Sequence, residues 1–335
     1  MNNCAVIILN WNGAKLLEEF LPSVVANTDP AIATVIVADN GSTDTSLQVL
    51  KTKFPDVQVW PFDKNYGFAG GYNRCLERAQ AEGYKYTVLL NSDVETPAGW
   101  LAPMLEYMDS HPDVGAAQPK VLAYTAKDTF EYAGACGGFI DRNGYPYCRG
   151  RLFNVCEKDD GQYQDVIDIF WATGAALLVR TDLYLKVGGL DEAFFAHMEE
   201  IDLCWRILLD GHRIVVVPQS VVYHLGGGSL PASNPRKTYL NFRNNLLLLH
   251  KNLPDSVRRS TLFRRRLLDT VAWAKFALTL DFKNAAAIWR AHRDFAKMRR
   301  AYTTHPRKDL LHTSPKRPNL LTSFYLRGRK TYPQL

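Results

Sequence analysis

At 335 residues, 47% hydrophobic and 22% charged, the chain has the balance of a globular protein and enough material for one large domain or two ordinary ones. Its net charge of +6 conceals an acidic body and a basic tail: residues 236–335 carry 23 Lys+Arg against 5 Asp+Glu, and residues 1–235 carry 17 against 29. The 6 cysteines are scattered, with no CxxC pair and no histidine at zinc-ligand spacing, which suggests neither a disulfide scaffold nor structural zinc and fits reduced thiols in a cytosolic setting.

Residues 4–9 are a continuous apolar run that ends in Asn10-Trp11-Asn12-Gly13, the pattern of a buried first strand and a polar loop with no signal sequence before it. Leu17, Leu21 and Val24 then recur at helical spacing. A second buried strand, 34–38, stops at Asp39-Asn40-Gly41-Ser42-Thr43-Asp44, where Ser42 or Thr43 can cap a helix carrying Leu47, Val49, Leu50 and Phe54. A third strand, 57–62, is closed by Asn65-Tyr66-Gly67-Phe68-Ala69-Gly70-Gly71, and a helix over 71–81 leads to a fourth strand that runs straight into Asn91-Ser92-Asp93. Strands alternating with helices predict an α/β chain, a mostly parallel sheet covered on both faces. Asn10, Asp39, Asn65 and residues 91–93 then share the carboxyl edge, where open α/β sheets bind ligands. The spacing of Gly67, Gly70 and Gly71 matches neither standard phosphate loop, so a tight turn packed on the sheet is the better reading. Asp39, at a strand end, can accept hydrogen bonds from the base or ribose of a nucleoside.

A helix over 99–111 and a strand over 114–123 follow. Residues 124–165 read as an irregular, hairpin-like insertion near the site, with Asn143-Gly144 as a turn. Two apolar runs over 167–180 are joined by Phe170-Trp171-Ala172-Thr173-Gly174-Ala175, and a short helix spans 182–187. The next helix gathers Glu199, Glu200 and Asp202 in its first turn. Acids there stabilise the positive end of the helix dipole by roughly 0.3–1 kcal/mol each. Set beside Phe194, Phe195 and Trp205, they also make a place where one carboxyl pKa can rise into the range of a general base. The strand over 214–222 ends at His224, followed by Gly226, Gly227 and Gly228. A histidine there is commonly structural, but its strand leads to the same crevice.

These stretches, in this order over roughly residues 4–230, resemble glycosyltransferase family 2, inverting nucleotide-sugar transferases of GT-A fold, and within it rhamnosyltransferase-like members of bacterial polysaccharide biosynthesis. The resemblance implies a Rossmann-like GT-A domain over 1–235, divided into a nucleotide-binding half (1–112) and an acceptor and catalytic half (113–235). It implies a UDP- or dTDP-sugar donor and a glycan or lipid-linked acceptor. Asn10, Asn12, Asp39, Asn65, Gly67, Asn91 and Ser92 would line the nucleotide, and Trp171, Thr173 and Gly174 the acceptor. Asp93, in the place of the last Asp of the family's DxD motif, and His224 would hold Mg2+ or Mn2+. Glu200 occupies the position of the catalytic carboxylate. Two departures stand out: Asn91 replaces the first Asp of DxD, and Glu200 the more usual Asp, which keeps Glu199 and Asp202 open as alternative bases.

Residues 236–335 read as a basic helical extension, with helices over 239–252, 257–280 and 285–302 in which arginines interleave with Trp273, Phe276 and Trp289. That pattern fits an anionic membrane surface as well as a solvated helical subdomain, and nucleic acid less well because no recognised module is present. The apolar stretch 267–280, broken by Asp269 and Lys275, is too short to span a bilayer, so the expected location is cytoplasmic, peripheral to the membrane at most. Two rival functions stay open. One is a sugar-phosphate nucleotidyltransferase, for which a basic Gly-rich loop after the first strand is missing. The other is an inactive nucleotide-sugar-binding scaffold.

Overall fold

A computed structural model describes every residue except 1–2, 227–233, 304, 305, 307 and 313–316, so the expected glycines at 227 and 228 lie outside the described residues. The first ninety residues alternate as expected: β1 (Cys4–Asn10), α1 (Ala14–Asn27), β2 (Ala33–Asp39), α2 (Ser46–Lys53), β3 (Gln58–Pro61), α3 (Gly67–Ala81) and β4 (Tyr86–Leu90). β4, β1, β2 and β3 lie side by side and all parallel, with Asn10 and Asp39 as register partners at the carboxyl edge. Side chains of β1 alternate between two cores, Ala5 and Ile7 on one face and Cys4, Val6 and Ile8 on the other, as a sheet covered by helices on both faces requires. α3 starts at Gly67, a turn before the expected 71. A Cβ on Gly71 would lie 2.7 Å from Leu9 Cδ2, so this glycine lets the helix sit close on β1.

The second half adds β5 (Val94–Glu95), α4 (Ala102–Ser110), β6 (Val114–Ala123), β7 (Ala126–Phe130), β8 (Gly138–Ile140), β9 (Pro146–Cys148), β10 (Arg151–Leu152), β11 (Val155–Cys156), β12 (Ile167–Asp168), β13 (Ala176–Arg180), α5 (Thr181–Lys186), α6 (Glu199–Leu209) and β14 (Arg213–His224). The main sheet runs β12-β14-β6-β13-β4-β1-β2-β3. It is mixed in this half: β13 is antiparallel to both β4 and β6, while β14 is parallel to β6. β13 begins beside the end of β4, with Asn91 N donating to Ala175 O at 3.0 Å, and runs back along it. Residues 124–165 are more ordered than expected: β8–β11 form a second, antiparallel sheet. Strands of two or three residues carry no readable period. The Asn143-Gly144 turn is there, with Asp141 Oδ1 accepting from Asn143 N and Tyr145 N, both at 2.8 Å.

The tail folds as α7 (Pro235–Asn252), α8 (Asp255–Leu278) and α9 (Phe282–Met298). α7 is no detached extension. Leu246, Leu247, Leu248 and Leu249 are fully buried in the same core as Leu203 and Trp205 of α6. The small sheet likewise packs Tyr147 and Leu152 against Leu320 and Phe324. Among the described residues, no helix is long and apolar enough to cross a membrane. All six cysteines are unpaired.

Candidate active site

The carboxyl edge of β1 and β2 is organised around buried polar side chains. Asn10 Nδ2 donates to Asp39 Oδ1 at 3.1 Å and Ser42 Oγ at 3.2 Å, and Ser42 N donates to Asp39 Oδ2 at 3.0 Å. Asn12, left-handed at φ 52°, turns its amide oxygen back to accept from Thr43 N at 2.7 Å. Asn65 Oδ1 accepts from Gly67 N at 2.7 Å and Asn40 Nδ2 at 3.0 Å, which shapes the loop into α3. Asn10, Asn12, Asp39, Asn65 and Gly67 therefore meet in one place. Asn40, fully bonded within that loop, was passed over by sequence reasoning because it looks like any turn residue. Asn10 Oδ1 is buried without a partner, an acceptor free for a ligand.

Beyond the end of β4, Asp93 Oδ1 lies 3.2 Å from His224 Nε2, across 131 positions of sequence. Asn91 Nδ2 is 3.5 Å from the same nitrogen, and Ser92 is partly exposed between them. On the far side of the ring, Glu131 Oε2 lies 3.4 Å from His224 Nδ1, an ion-pair contact rather than an aligned hydrogen bond. Burial disfavours the imidazolium, yet the two carboxylates outweigh it and push the His224 pKa up to about 10. Burial would raise the Asp93 carboxyl, but His224 holds it below the usual value. Glu131, 7% exposed, had no sequence signal, since it sits in the insertion that carried no readable pattern. Asp93 and His224 are close enough that the carboxylate oxygen and the imidazole nitrogen would hold one divalent cation between them. Among the described residues, no group of three His, Cys, Asp or Glu could hold a metal ion.

The three acids of α6 separate by environment. Asp202 is fully buried and ion-paired to Arg206 at 2.7 Å and Lys251 at 2.8 Å, with Asn252 Nδ2 donating to its Oδ1 at 2.7 Å. Burial would raise its pKa, but Arg206 and Lys251 hold it below the usual value, so it is a fixed carboxylate spent on joining α7 to α6. Glu199 is buried, and burial with the neighbouring Glu200 raises it well above the usual range. Glu200 is half-buried at the start of α6; burial pushes it up to about 7, and its Oε2 has no partner. Burial raises both glutamates, and Glu200, pushed up to about 7, lies in the range of a general base.

Gly174 sits beside it: a Cβ there would lie 3.8 Å from Glu200 Cβ. Thr173 is buried, its N–H donating to Gln118 Oε1 at 2.9 Å. Trp171, expected to face an acceptor, is also buried, its Nε1 donating to Phe139 O at 2.8 Å, so it packs the small sheet against the body. The segment before α6 is strained, with Phe195, His197 and Met198 all at positive φ. Asn244 of α7 holds it: Nδ2 lies 2.9, 2.8 and 2.7 Å from the carbonyls of Phe194, Ala196 and His197.

Asn10 and Asp39 thus close one end of the sheet, Asp93 and His224 pair beyond β4, and Glu200 opens α6 beside Gly174. Residues 5–156 match the family described as Glycosyl transferase family 2. Rhamnosyltransferase WbbL of Escherichia coli (strain K12) is 37% identical over 223 residues, covering 65% of this chain and 82% of that protein. The chain belongs to glycosyltransferase family 2. As a member it is a glycosyltransferase, of the hexosyltransferase class. An N-acetylglucosaminyl-diphospho-decaprenol L-rhamnosyltransferase of Mycobacterium tuberculosis (strain ATCC 25618 / H37Rv) is 28% identical over 234 residues, 65% of this chain and 75% of its own. Among solved structures, Staphylococcus aureus TarS 1-349 superposes with a TM-score of 0.56 at 17% identity, covering 89% of this chain and 80% of that one. Mannosyltransferase PcManGT from Pyrobaculum calidifontis, in complex with GDP-Man and Mn2+, superposes at 0.51 and 17% identity, covering 90% and 84%. At these identities the structures share the GT-A fold with this chain.

Proposed function

We propose that this glycosyltransferase moves a sugar, rhamnose foremost, from a UDP- or dTDP-sugar to a hydroxyl of a glycan or lipid-linked acceptor, inverting the anomeric centre in a single displacement. The observation that carries the proposal is Glu200: a half-buried carboxyl beside Gly174, pushed up to about 7, with one oxygen unpartnered. Glu200 takes the proton from the acceptor hydroxyl as that oxygen attacks the anomeric carbon and the nucleoside diphosphate leaves. One base suffices, because no covalent enzyme intermediate intervenes. Asp39, Asn10 and Asn12 hold the nucleoside, Asn91 and Ser92 border the diphosphate, and Gly174 leaves room for the acceptor beside Glu200.

Asp93 and His224 would hold Mg2+ or Mn2+, which when bound neutralises the charge growing on the departing diphosphate. Glu131 sits against His224 Nδ1, away from Asp93, and would orient the ring so that Nε2 is the ligand nitrogen. The relatives named as rhamnosyltransferases support the donor sugar, and the decaprenol-linked one supports a lipid-linked acceptor. The chain is incubated with Mn2+ and a panel of UDP-, dTDP- and GDP-sugars, with thermal shift for binding and NMR of the transferred sugar for configuration. Stabilisation by one donor family and an inverted product are expected. Retention of configuration, or no stabilisation by any donor, overturns the reading.

A further inference from the structure

α8 has two unlike faces. The inner one is anchored: Arg265 is buried, pairs with Asp269 at 2.8 Å and stacks on the Tyr145 ring at 3.7 Å, while Asp269 also meets His292 of α9 at 3.0 Å. The outer one carries Phe263, Leu267, Val271 and Leu278, exposed by 64%, 54%, 68% and 84%. At about 100° per residue these four lie within one quadrant of the helix. Arg264 and Lys275 flank that strip on one side, and Arg259 and Arg266 on the other, all exposed. The ion pairs found within α8 among the described residues use Arg258 and Arg265 instead. Asp255, in the first turn, pairs with Arg258, and the one acid further along, Asp269, is buried, so beyond its first turn the outer face is apolar and basic. The strip continues into the turn to α9, where Leu280 and Phe282 are also exposed.

We propose that the outer face of α8 docks on an anionic lipid surface, laying Phe263, Leu267, Val271 and Leu278 into the headgroup boundary while the flanking arginines and Lys275 meet lipid phosphates. The geometry is that of a helix lying in the plane of an interface, apolar strip down and cations at the waterline. A second copy of this chain is a poor occupant, since it would bring two rows of unpaired arginines against each other. Nucleic acid would neutralise the cations but leave the apolar strip in water. Docking by α8 leaves the crevice chemistry untouched, so it stands apart from the proposed transfer reaction.

The test uses the full chain and vesicles of phosphatidylcholine with and without phosphatidylglycerol, read by co-sedimentation at low and high salt. Binding is expected only with phosphatidylglycerol, weakening as salt rises. Leu267→Glu with Val271→Glu should lower it at least about tenfold, and Arg264→Gln with Arg266→Gln roughly 5-fold per residue. Both pairs are exposed, so melting temperature and nucleotide binding should match the parent. Equal binding by parent and Leu267→Glu/Val271→Glu, or equal binding to neutral vesicles, overturns the proposal. So does a concentration-dependent dimer that this variant loses, which would assign the face to a second copy.

Discussion

Asp202→Asn tests whether the third acid of α6 is a strut or a catalyst. The change keeps the side chain's shape and removes its charge from a fully buried position, where it meets Arg206 at 2.7 Å and Lys251 at 2.8 Å. Breaking a buried pair costs about 3–5 kcal/mol when the partner is stranded. Here neither cation is: Lys251 keeps Asp191 at 2.8 Å, and Arg206 keeps the carbonyls of Val187 and Gly189. The expected loss is therefore smaller, about 2–3 kcal/mol at pH 7, read as a lower urea midpoint. Because the folded Asp202 pKa is depressed, its contribution is complete above the unfolded value of about 3.9 and disappears as pH falls through the folded one. The gap between parent and variant should accordingly close in acid. Under conditions where both are folded, nucleotide binding and transfer should persist. An unchanged midpoint would remove the strut, and a folded, nucleotide-binding but inactive variant would make Asp202 the base.

Glu200→Gln should lower kcat by at least about 10²-fold with donor affinity unchanged in calorimetry; the parent's kcat should fall as pH drops through about 7, where Glu200 gains its proton. Asp39→Asn should weaken nucleoside diphosphate binding about 10- to 100-fold, the worth of a charged hydrogen bond, and equal affinity would move the nucleoside elsewhere. Glu131→Gln should lower Mn2+ affinity about tenfold or more in electron paramagnetic resonance titrations with nucleoside diphosphate present, and no change would free His224 of its outer partner. Asn244→Leu strands carbonyls of the strained segment before α6, so it should cost about 1–3 kcal/mol in urea and slow transfer more than donor binding; a slowed binding step alone would contradict that role.

Much of the fold was legible because strand burial is written locally. Runs such as residues 4–9 and 86–90 need no partner to be recognised, and the polar residues at their ends predict which edge opens to ligand. The same holds for the meeting of Asn10, Asp39 and Ser42, which follows from two adjacent parallel strands. The basic, apolar pattern of the tail was visible too, but not its orientation: Arg265, one of its interleaved arginines, turns inward to Asp269.

The chain by itself thus determined the strand and helix order, the polar carboxyl edge, the family motifs and the acidic body with its basic tail. Tertiary structure alone decided that β13 runs antiparallel, that Trp171 packs inward, that Glu131 backs His224, and that α7 clamps the segment before α6. It also separated three neighbouring acids: Asp202 is held low by Arg206 and Lys251, while burial raises Glu199 and pushes Glu200 up to about 7. The reason is physical: Glu199, Glu200 and Asp202 share one helical turn and nearly one composition, and their difference lies in Arg206, Lys251 and Asn252, two of which reach them only when a helix some 50 residues away folds against α6.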